Sequence, residues 1–379
     1  MKHLLTWLEN NQECSKHWIT ESELPAPKRV FIADESLKPE TFYQQASEGA
    51  AFIWRGDYQI AKQLLHAVQK KIEQRTSSRP RAQSGSTADE FHRHRQSQAH
   101  RARLLSRLLI CVEKDLTIAL KRAPSVREAI AEALFTENEE FIISLRELLG
   151  LIGAHEWRKK GVHIPALNNV IHPHYGVFSP ARGEYLDLVN QAPLNSNIEC
   201  AFEIGTGTGV IAAILAKRGV PKIIATDLDD RALTCAQENL QRLGLKDRVD
   251  MIKTDLFPSG KADLVVCNPP WLPAHPTSSI ERAVYDENSQ MLKGFLAGVG
   301  QHLNQQGEAW LILSDLGELL GLRNPDDLST WIAQSGLEVV DCLEKRPQHP
   351  KASDTEDRLH YARSQERTKL WRLRTSPAT

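Results

Sequence analysis

A strand that runs into a glycine-rich turn and then a helix constrains this chain more than any other stretch. Cys200–Ile204 is a short apolar run with strand character, and Gly205-Thr206-Gly207-Thr208-Gly209 follows it directly. Glycine tolerates positive φ and lets a ligand come close to the main chain, and the helix that starts here presents its free N–H groups to that ligand. Val210–Arg218 forms the helix, closed by Gly219 and Pro221. The same rhythm continues. Lys222–Thr226, Val249–Thr254, Leu264–Cys267, Glu308–Ser314, Leu337–Leu343 and Thr368–Arg374 read as strands. Asp230–Leu243 and Met291–Leu303 read as helices between them. Alternation of this kind predicts an α/β fold with a doubly wound, mostly parallel seven-stranded sheet. The last two strands have no long helical pattern between them, which predicts an antiparallel hairpin at one edge.

The fourth of these strands stops abruptly at Asn268-Pro269-Pro270-Trp271. Two successive prolines donate no ladder hydrogen bonds and stiffen the backbone, so a carboxamide and a large aromatic are left at the strand's carboxyl end. In open α/β sheets ligands bind at that end. Asn-Pro alone also initiates ordinary turns.

The 379 residues exceed one typical domain and predict two. Residues 1–165 carry helical stripes at Ala61–Ile72, Leu104–Leu120, Val126–Leu134 and Phe141–Leu151, which predicts a mainly helical amino-terminal domain. Residues 166–379 form the α/β domain. Between them, Ser179 reads as an N-cap with Pro180 at the first helical position of a helix through Glu184, Leu186 and Val189. Lys+Arg 47 against Asp+Glu 48 excludes a whole-chain attraction to polyanions. Locally, residues 74–107 hold eight arginines (75, 79, 81, 93, 95, 101, 103, 107) and three histidines against Asp89 and Glu90. A phosphate-contacting surface and a solvated helix face with an exposed connection at 74–85 explain this bias equally well. The six cysteines are scattered without metal or disulfide spacing. His172 and His174 lack acidic or cysteine companions, so no metal is expected. No apolar run reaches membrane-spanning length, and a cytoplasmic protein is expected.

Asp227 ends the second strand, 22 residues after Gly205. A carboxylate there suits the two hydroxyls of a ribose. Asp229 and Asp230 read as helix caps. Asp255 and Leu256, after the third strand, offer a polar group and an apolar wall for an adenine ring, though an isolated Asp equally serves a turn. A dinucleotide fingerprint requires glycine where this chain has Val210, which disfavours a nicotinamide enzyme.

Over about Tyr175–Arg374 these residues resemble the class I S-adenosylmethionine-dependent methyltransferases. Asn-Pro-Pro-aromatic marks, within that class, enzymes that methylate a planar amino nitrogen: adenine N6, guanine N2 or a glutamine amide. The resemblance implies S-adenosyl-L-methionine as cofactor, held by Phe178, Arg182, Glu203, Gly205, Thr206, Gly207, Gly209, Asp227, Asp255, Leu256 and Asn268. It implies acceptor roles for the Asn268 carboxamide oxygen and the Pro269 carbonyl, rigidity from Pro270, and stacking of Trp271 on the substrate. Asp315 is a weaker candidate base. Thr254-Asp255-Leu256-Phe257, Asn268–Pro273, Ala283–Leu292 and Pro180–Leu186 are most similar to the release-factor glutamine methyltransferases. Trp271 stands where that group has Tyr, Glu203 where it has Asp, and the amino-terminal region is about twice the length. The implied partner is macromolecular: RNA, DNA or a translation protein. A nucleotide-dependent oxidoreductase and a non-catalytic binding module remain as alternatives.

Overall fold

The computed structural model describes residues 3–21, 25–77, 86–134, 139–278, 280–347, 354 and 357–377. Arg79, Arg81 and most of the expected 74–85 connection lie outside the described residues, as does most of 348–356. The chain divides into two compact units, Met1–Gly85 with His92–Glu156, and Ser86–Phe91 with Trp157–Thr379.

The amino-terminal unit holds more helix than strand, as its stripes predict, but it also contains a sheet that they do not. It is built on a six-stranded sheet of β1 (His3–Glu9), β2 (Gln12–Trp18), β3 (Arg29–Ala33), β4 (Ala50–Trp54), β5 (Leu108–Val112) and β6 (Phe141–Ser144), in the order β1-β2-β6-β5-β4-β3. Helices α1 (Pro39–Ser47), α2 (Tyr58–Ser77), α3 (Thr87–Leu105), α4 (Arg127–Leu134) and α5 (Leu145–Lys160) intervene. The physical reason is burial on both faces. Every residue of β4, β5 and β6 is buried, so each reads as an unbroken apolar run without the alternation that identifies a strand. The Leu104–Leu120 stripe is the end of α3 followed by β5, and Phe141–Leu151 is β6 followed by the first half of α5.

The carboxy-terminal unit opens with a short hairpin, β7 (Val162–Ile164) and β8 (Asn169–Ile171), and continues through α6 (Glu184–Gln191). Its main sheet comprises β9 (Cys200–Ile204), β10 (Lys222–Asp227), β11 (Val249–Lys253), β12 (Ala262–Cys267), β13 (Leu303–Ser314), β14 (Leu337–Lys345) and β15 (Thr368–Thr375). The order is β11-β10-β9-β12-β13-β15-β14. The pairs from β11 to β13 are parallel, while β15 runs antiparallel to both β13 and β14. The expected pair of reversed strands is therefore present, with the later strand inside and the earlier one at the edge.

Alternate residues of each strand enter opposite cores. Leu264, Val266, Trp310 and Ile312 join α6 and α7 (Val210–Lys217) on one face. Phe202, Ile204, Val265, Cys267, Leu311 and Leu313 join α9 (Gln290–Val299) and α11 (Asp327–Gln334) on the other. This is what doubly wound means in side-chain terms. Helix α7 is apolar all round and buried at every position from Val210 to Ala216, so it is held by tertiary packing rather than by propensity. Burial of each Ile or Leu there contributes about 1.5–3 kcal/mol. Helix α8 (Asp230–Arg242) is capped by Asp229, whose carboxylate accepts the Arg231 N–H, while Asp230 lies in the first turn. The expected Ser179 cap is not formed: α6 begins at Glu184 after Gly183. The Ser179-Pro180 pair turns tightly instead, the Ala181 N–H donating to the Ser179 carbonyl at 2.8 Å, and the Ser179 Oγ is buried without a hydrogen-bond partner. Short helices α10 (Leu316–Leu319) and α12 (His360–Gln365) flank the carboxyl ends of β13 and the start of β15. Among the described residues no helix is long and apolar enough to cross a membrane.

Candidate active site

Register brings the separated motifs to one edge of the sheet. Ile204 pairs with Thr226 on one side and with Cys267 on the other. The next residues along these three parallel strands are Gly205, Asp227 and Asn268. With neighbouring strands about 4.8 Å apart, the turn, the carboxylate and the carboxamide share one carboxyl edge within about 10 Å.

The turn is shaped by its glycines. Gly205, Gly207 and Gly209 have φ of 73°, 55° and 76°. A Cβ on Gly209 would stand 3.0 Å from the Ala236 Cβ, so this glycine lets α7 approach α8. A Cβ on Gly207 would meet nothing within 4 Å. That glycine faces open space, which is where a ligand could approach the backbone. Glu203 sits beneath the turn, 1% exposed. Its Oε2 accepts the Thr206 hydroxyl at 2.7 Å and the Ala212 N–H at 3.1 Å, tying strand, turn and helix together. Burial pushes its pKa up to about 8 against the pull of those two donors.

Asp227 is fixed by two backbone amides. Its Oδ2 accepts the Gly207 N–H and its Oδ1 the Asp229 N–H, both at 3.0 Å. Burial nevertheless raises its pKa. Beside it Leu228 is 60% exposed, an apolar side chain at the edge where a flat ring could rest. Asp255 is exposed, just past β11. Leu256 takes a left-handed φ of 61°, and its carbonyl accepts the Thr226 hydroxyl at 2.6 Å. Phe257 turns away from this edge and stacks on His302 (4.5 Å) and Phe295 (5.9 Å). Phe178 is half-buried beside Val177, which packs on Ala232 and Cys235 of α8.

The Asn268–Trp271 motif is tightly held. The Trp271 indole N–H donates to Asn268 Oδ1 at 2.9 Å. The Arg182 guanidinium lies 5.0 Å from the Trp271 ring centroid, and Tyr185 meets the ring edge-on at 6.5 Å. Arg182 in turn donates to Glu184 at 2.7 Å and to Glu366 at 2.9 Å, both carboxylates buried. Burial works against the guanidinium, but the Glu366 and Glu184 carboxylates outweigh it and hold its pKa above the usual value. On the far side of the motif, Leu272 donates to the Val284 carbonyl and accepts from the Asp286 N–H. The buried Asp286 carboxylate then takes the Met291 and Leu292 N–H groups at the start of α9. Asp315 accepts the Arg367 N–H at 2.7 Å, and burial raises its pKa.

His172 and His174 are both engaged away from this edge. His172 Nδ1 contacts the Arg158 carbonyl and His174 Nε2 contacts Glu238. Burial, with Arg158 nearby, pushes the His174 pKa down.

Sequence reasoning missed Leu228, Asp286, Ser314 and Glu366. Asp286 carried a readable signal, an Asp just before an apolar helical stripe. Glu366 carried none, because its partner Arg182 is far away in the chain.

S-adenosylmethionine fits this edge on two observations of the structure. Open space lies beside Gly207, and an amide-held carboxylate ends β10.

Residues 168–318 match the family model of the methyltransferase small domain. A protein named as an N5-glutamine methyltransferase in Methanocaldococcus jannaschii is 28% identical over 163 residues, covering 41% of this chain and 80% of that one. A tRNA1(Val) (adenine(37)-N6)-methyltransferase of Bacteroides thetaiotaomicron is 31% identical over 119 residues, 30% of this chain and 50% of that one. A release factor glutamine methyltransferase of Cereibacter sphaeroides is 38% identical over 87 residues, 22% of this chain and 31% of that one. The chain thus spans half or less of the last two relatives. The stretch that carries the glycine turn, Asp227 and Asn268–Trp271 is thus similar to the methyltransferase small domain, and the relatives that share it are named as methyltransferases.

Proposed function

We propose that the carboxy-terminal unit methylates a planar amino nitrogen of a macromolecule, with Asn268 receiving the target group. The observation that carries this reading is the register of Ile204 with Thr226 and Cys267, which puts Asn268 on one side of the glycine turn and Asp227 on the other. What S-adenosylmethionine supplies when bound is an electrophilic methyl carbon on a sulfonium, with a neutral thioether as leaving group. Asp227 would accept the ribose hydroxyls, the turn amides would line the donor, and Leu228 would flank the adenine. Conjugated amino nitrogens are poor nucleophiles because their lone pair is delocalised. Two acceptors on the N–H groups, Asn268 Oδ1 and the Pro269 carbonyl, favour the pyramidal form that attacks. Alignment is the remaining requirement, and the rigid Pro269-Pro270 pair serves it.

Two substrate classes are supported by different observations. An RNA base is supported by α3, where His92, Arg93, His100 and Arg103 are exposed along one helix. A glutamine amide is supported by the similarity to the two glutamine methyltransferases. Tritiated methyl transfer from S-adenosylmethionine into cell lysate, depleted of RNA in one arm and of protein in the other, decides between them. Label in neither fraction sinks the proposed reaction.

A further inference from the structure

The contact between Trp271 and Asn268 assigns a role to the aromatic residue that stacking on a substrate does not describe. An indole has one polar hydrogen and no acceptor, so the carboxamide atom it meets at 2.9 Å must be the oxygen. Flipping the Asn268 amide would put its NH2 against the indole N–H, two donors facing each other. The hydrogen bond therefore selects one amide orientation. A carbonyl oxygen has two lone pairs, and the indole uses one. The other remains for a target N–H. A phenol in the same place could donate or accept and would not make this selection, and a phenyl ring could do neither.

The ring is itself held from behind. The Arg182 cation lies 5.0 Å from its centroid, and Tyr185 closes one edge. Glu184 and Glu366 fix the guanidinium, and they are only 5% and 3% exposed. The Ser314 hydroxyl donates to the same Glu366 oxygen at 2.6 Å while accepting the Leu316 N–H at 3.0 Å. Buried ionic networks of this kind are costly to break by removing one member, which makes them good at holding a single geometry. The guanidinium also covers one face of Trp271, so a flat substrate has only the other.

We propose that Trp271 is a positioning residue that sets the Asn268 carboxamide for the target amino group, and that Arg182 and Glu366 hold it there. This rests on the amino-nitrogen reading above.

Trp271→Phe separates the two roles, since Phe keeps a stacking ring and loses the N–H. In tritiated methyl transfer into whichever lysate fraction the full chain labels, kcat falls about ten-fold or more while S-adenosylhomocysteine affinity by calorimetry stays within about two-fold. An unchanged kcat overturns the proposal. A second measurement needs no turnover. In the indole region of a nitrogen-15 proton spectrum, the Trp271 signal, assigned in the natural chain by sequential resonance assignment, moves and exchanges faster with solvent in Asn268→Ala. Glu366→Gln shifts the same signal if the network supports the ring. A Trp271 signal indifferent to both substitutions overturns the proposal even if Trp271→Phe fails to fold. Should the full chain label neither fraction, the amino-nitrogen reading fails, and the spectrum still decides whether the indole holds the amide.

Discussion

The Gly207 amide and the Asp227 carboxylate are joined by a 3.0 Å hydrogen bond that spans two neighbouring strands' ends. The bond ties the turn that would line the donor to the side chain that would grip its ribose. Asp227→Ala removes the acceptor for both, and hydrogen bonds to a charged group contribute about 1.5–3 kcal/mol each. Affinity for S-adenosylmethionine is expected to fall by roughly ten- to a hundred-fold. Isothermal calorimetry measures this directly, and undiminished affinity would remove Asp227 from the donor site.

Asn268→Ala is expected to separate binding from chemistry. Donor affinity should remain, because Asp227 and the turn are untouched, while methyl transfer drops by about a hundred-fold or more. Single-turnover kinetics with labelled donor gives both quantities. Persistent turnover would dismiss Asn268 as the acceptor.

Two glycines of one turn should respond differently. Gly209→Ala forces a side chain into φ 76° and sets its Cβ 3.0 Å from Ala236, so it should destabilise by about 2 kcal/mol or more. Gly207→Ala meets open space, so its stability cost is the backbone strain alone, about 1–2 kcal/mol, and its main effect is lost donor binding. Thermal unfolding and calorimetry on the pair check the contrast. Equal melting losses would contradict the close approach of α7 and α8.

Glu203 should give the fold a pH dependence of unusual sign for a carboxylate. Its pKa is pushed from 4.5 to about 8 by burial, so the native state keeps a proton that the unfolded chain releases. The stability this contributes is complete below pH about 4.5 and is lost as pH rises through about 8. Between pH 6 and pH 9 the melting temperature should therefore fall more in the natural chain than in Glu203→Gln. Parallel declines would show that Glu203 is ionised in its pocket.

Charge reversal at Arg93 and Arg103 of α3 tests the RNA reading at the other unit. If their face contacts phosphates, the slope of log affinity against log salt for tRNA should shallow by about 1 to 2. Filter binding across a salt series measures it, and an unaltered slope returns α3 to a solvated face.

The legibility of these features in the sequence follows from how far apart the cooperating residues lie. Every strand of the carboxy-terminal sheet was readable, since Ile204, Asp227 and Asn268 each mark a local change from an apolar run to a turn. β5 was not, because Leu108–Val112 is buried on both faces and sits directly behind the Leu104-Leu105 end of α3. The Ser179 cap failed because Ser-Pro is locally a good helix start, whereas here Arg182 must reach Glu366 and Trp271 before α6 begins. Partnerships such as Arg182 with Glu366, or Asp227 with Gly207, exist only once the sheet order is set. Local pattern shows that a residue ends a strand and is silent about which other strand end it meets.

That sheet order also has a kinetic meaning. Ile204 and Cys267 are paired neighbours, yet the whole α7-β10-α8-β11 segment lies between them in the chain. Closing so long a loop costs entropy before any contact rewards it, so β12 should dock late. Pulse-labelled hydrogen exchange during refolding would then protect Ala201–Ile204 and Ile223–Asp227 through their mutual pairing before Leu264–Cys267. On that timetable the edge that carries Gly207 and Asp227 matures as an early foldon, and Asn268 joins it only when β12 docks.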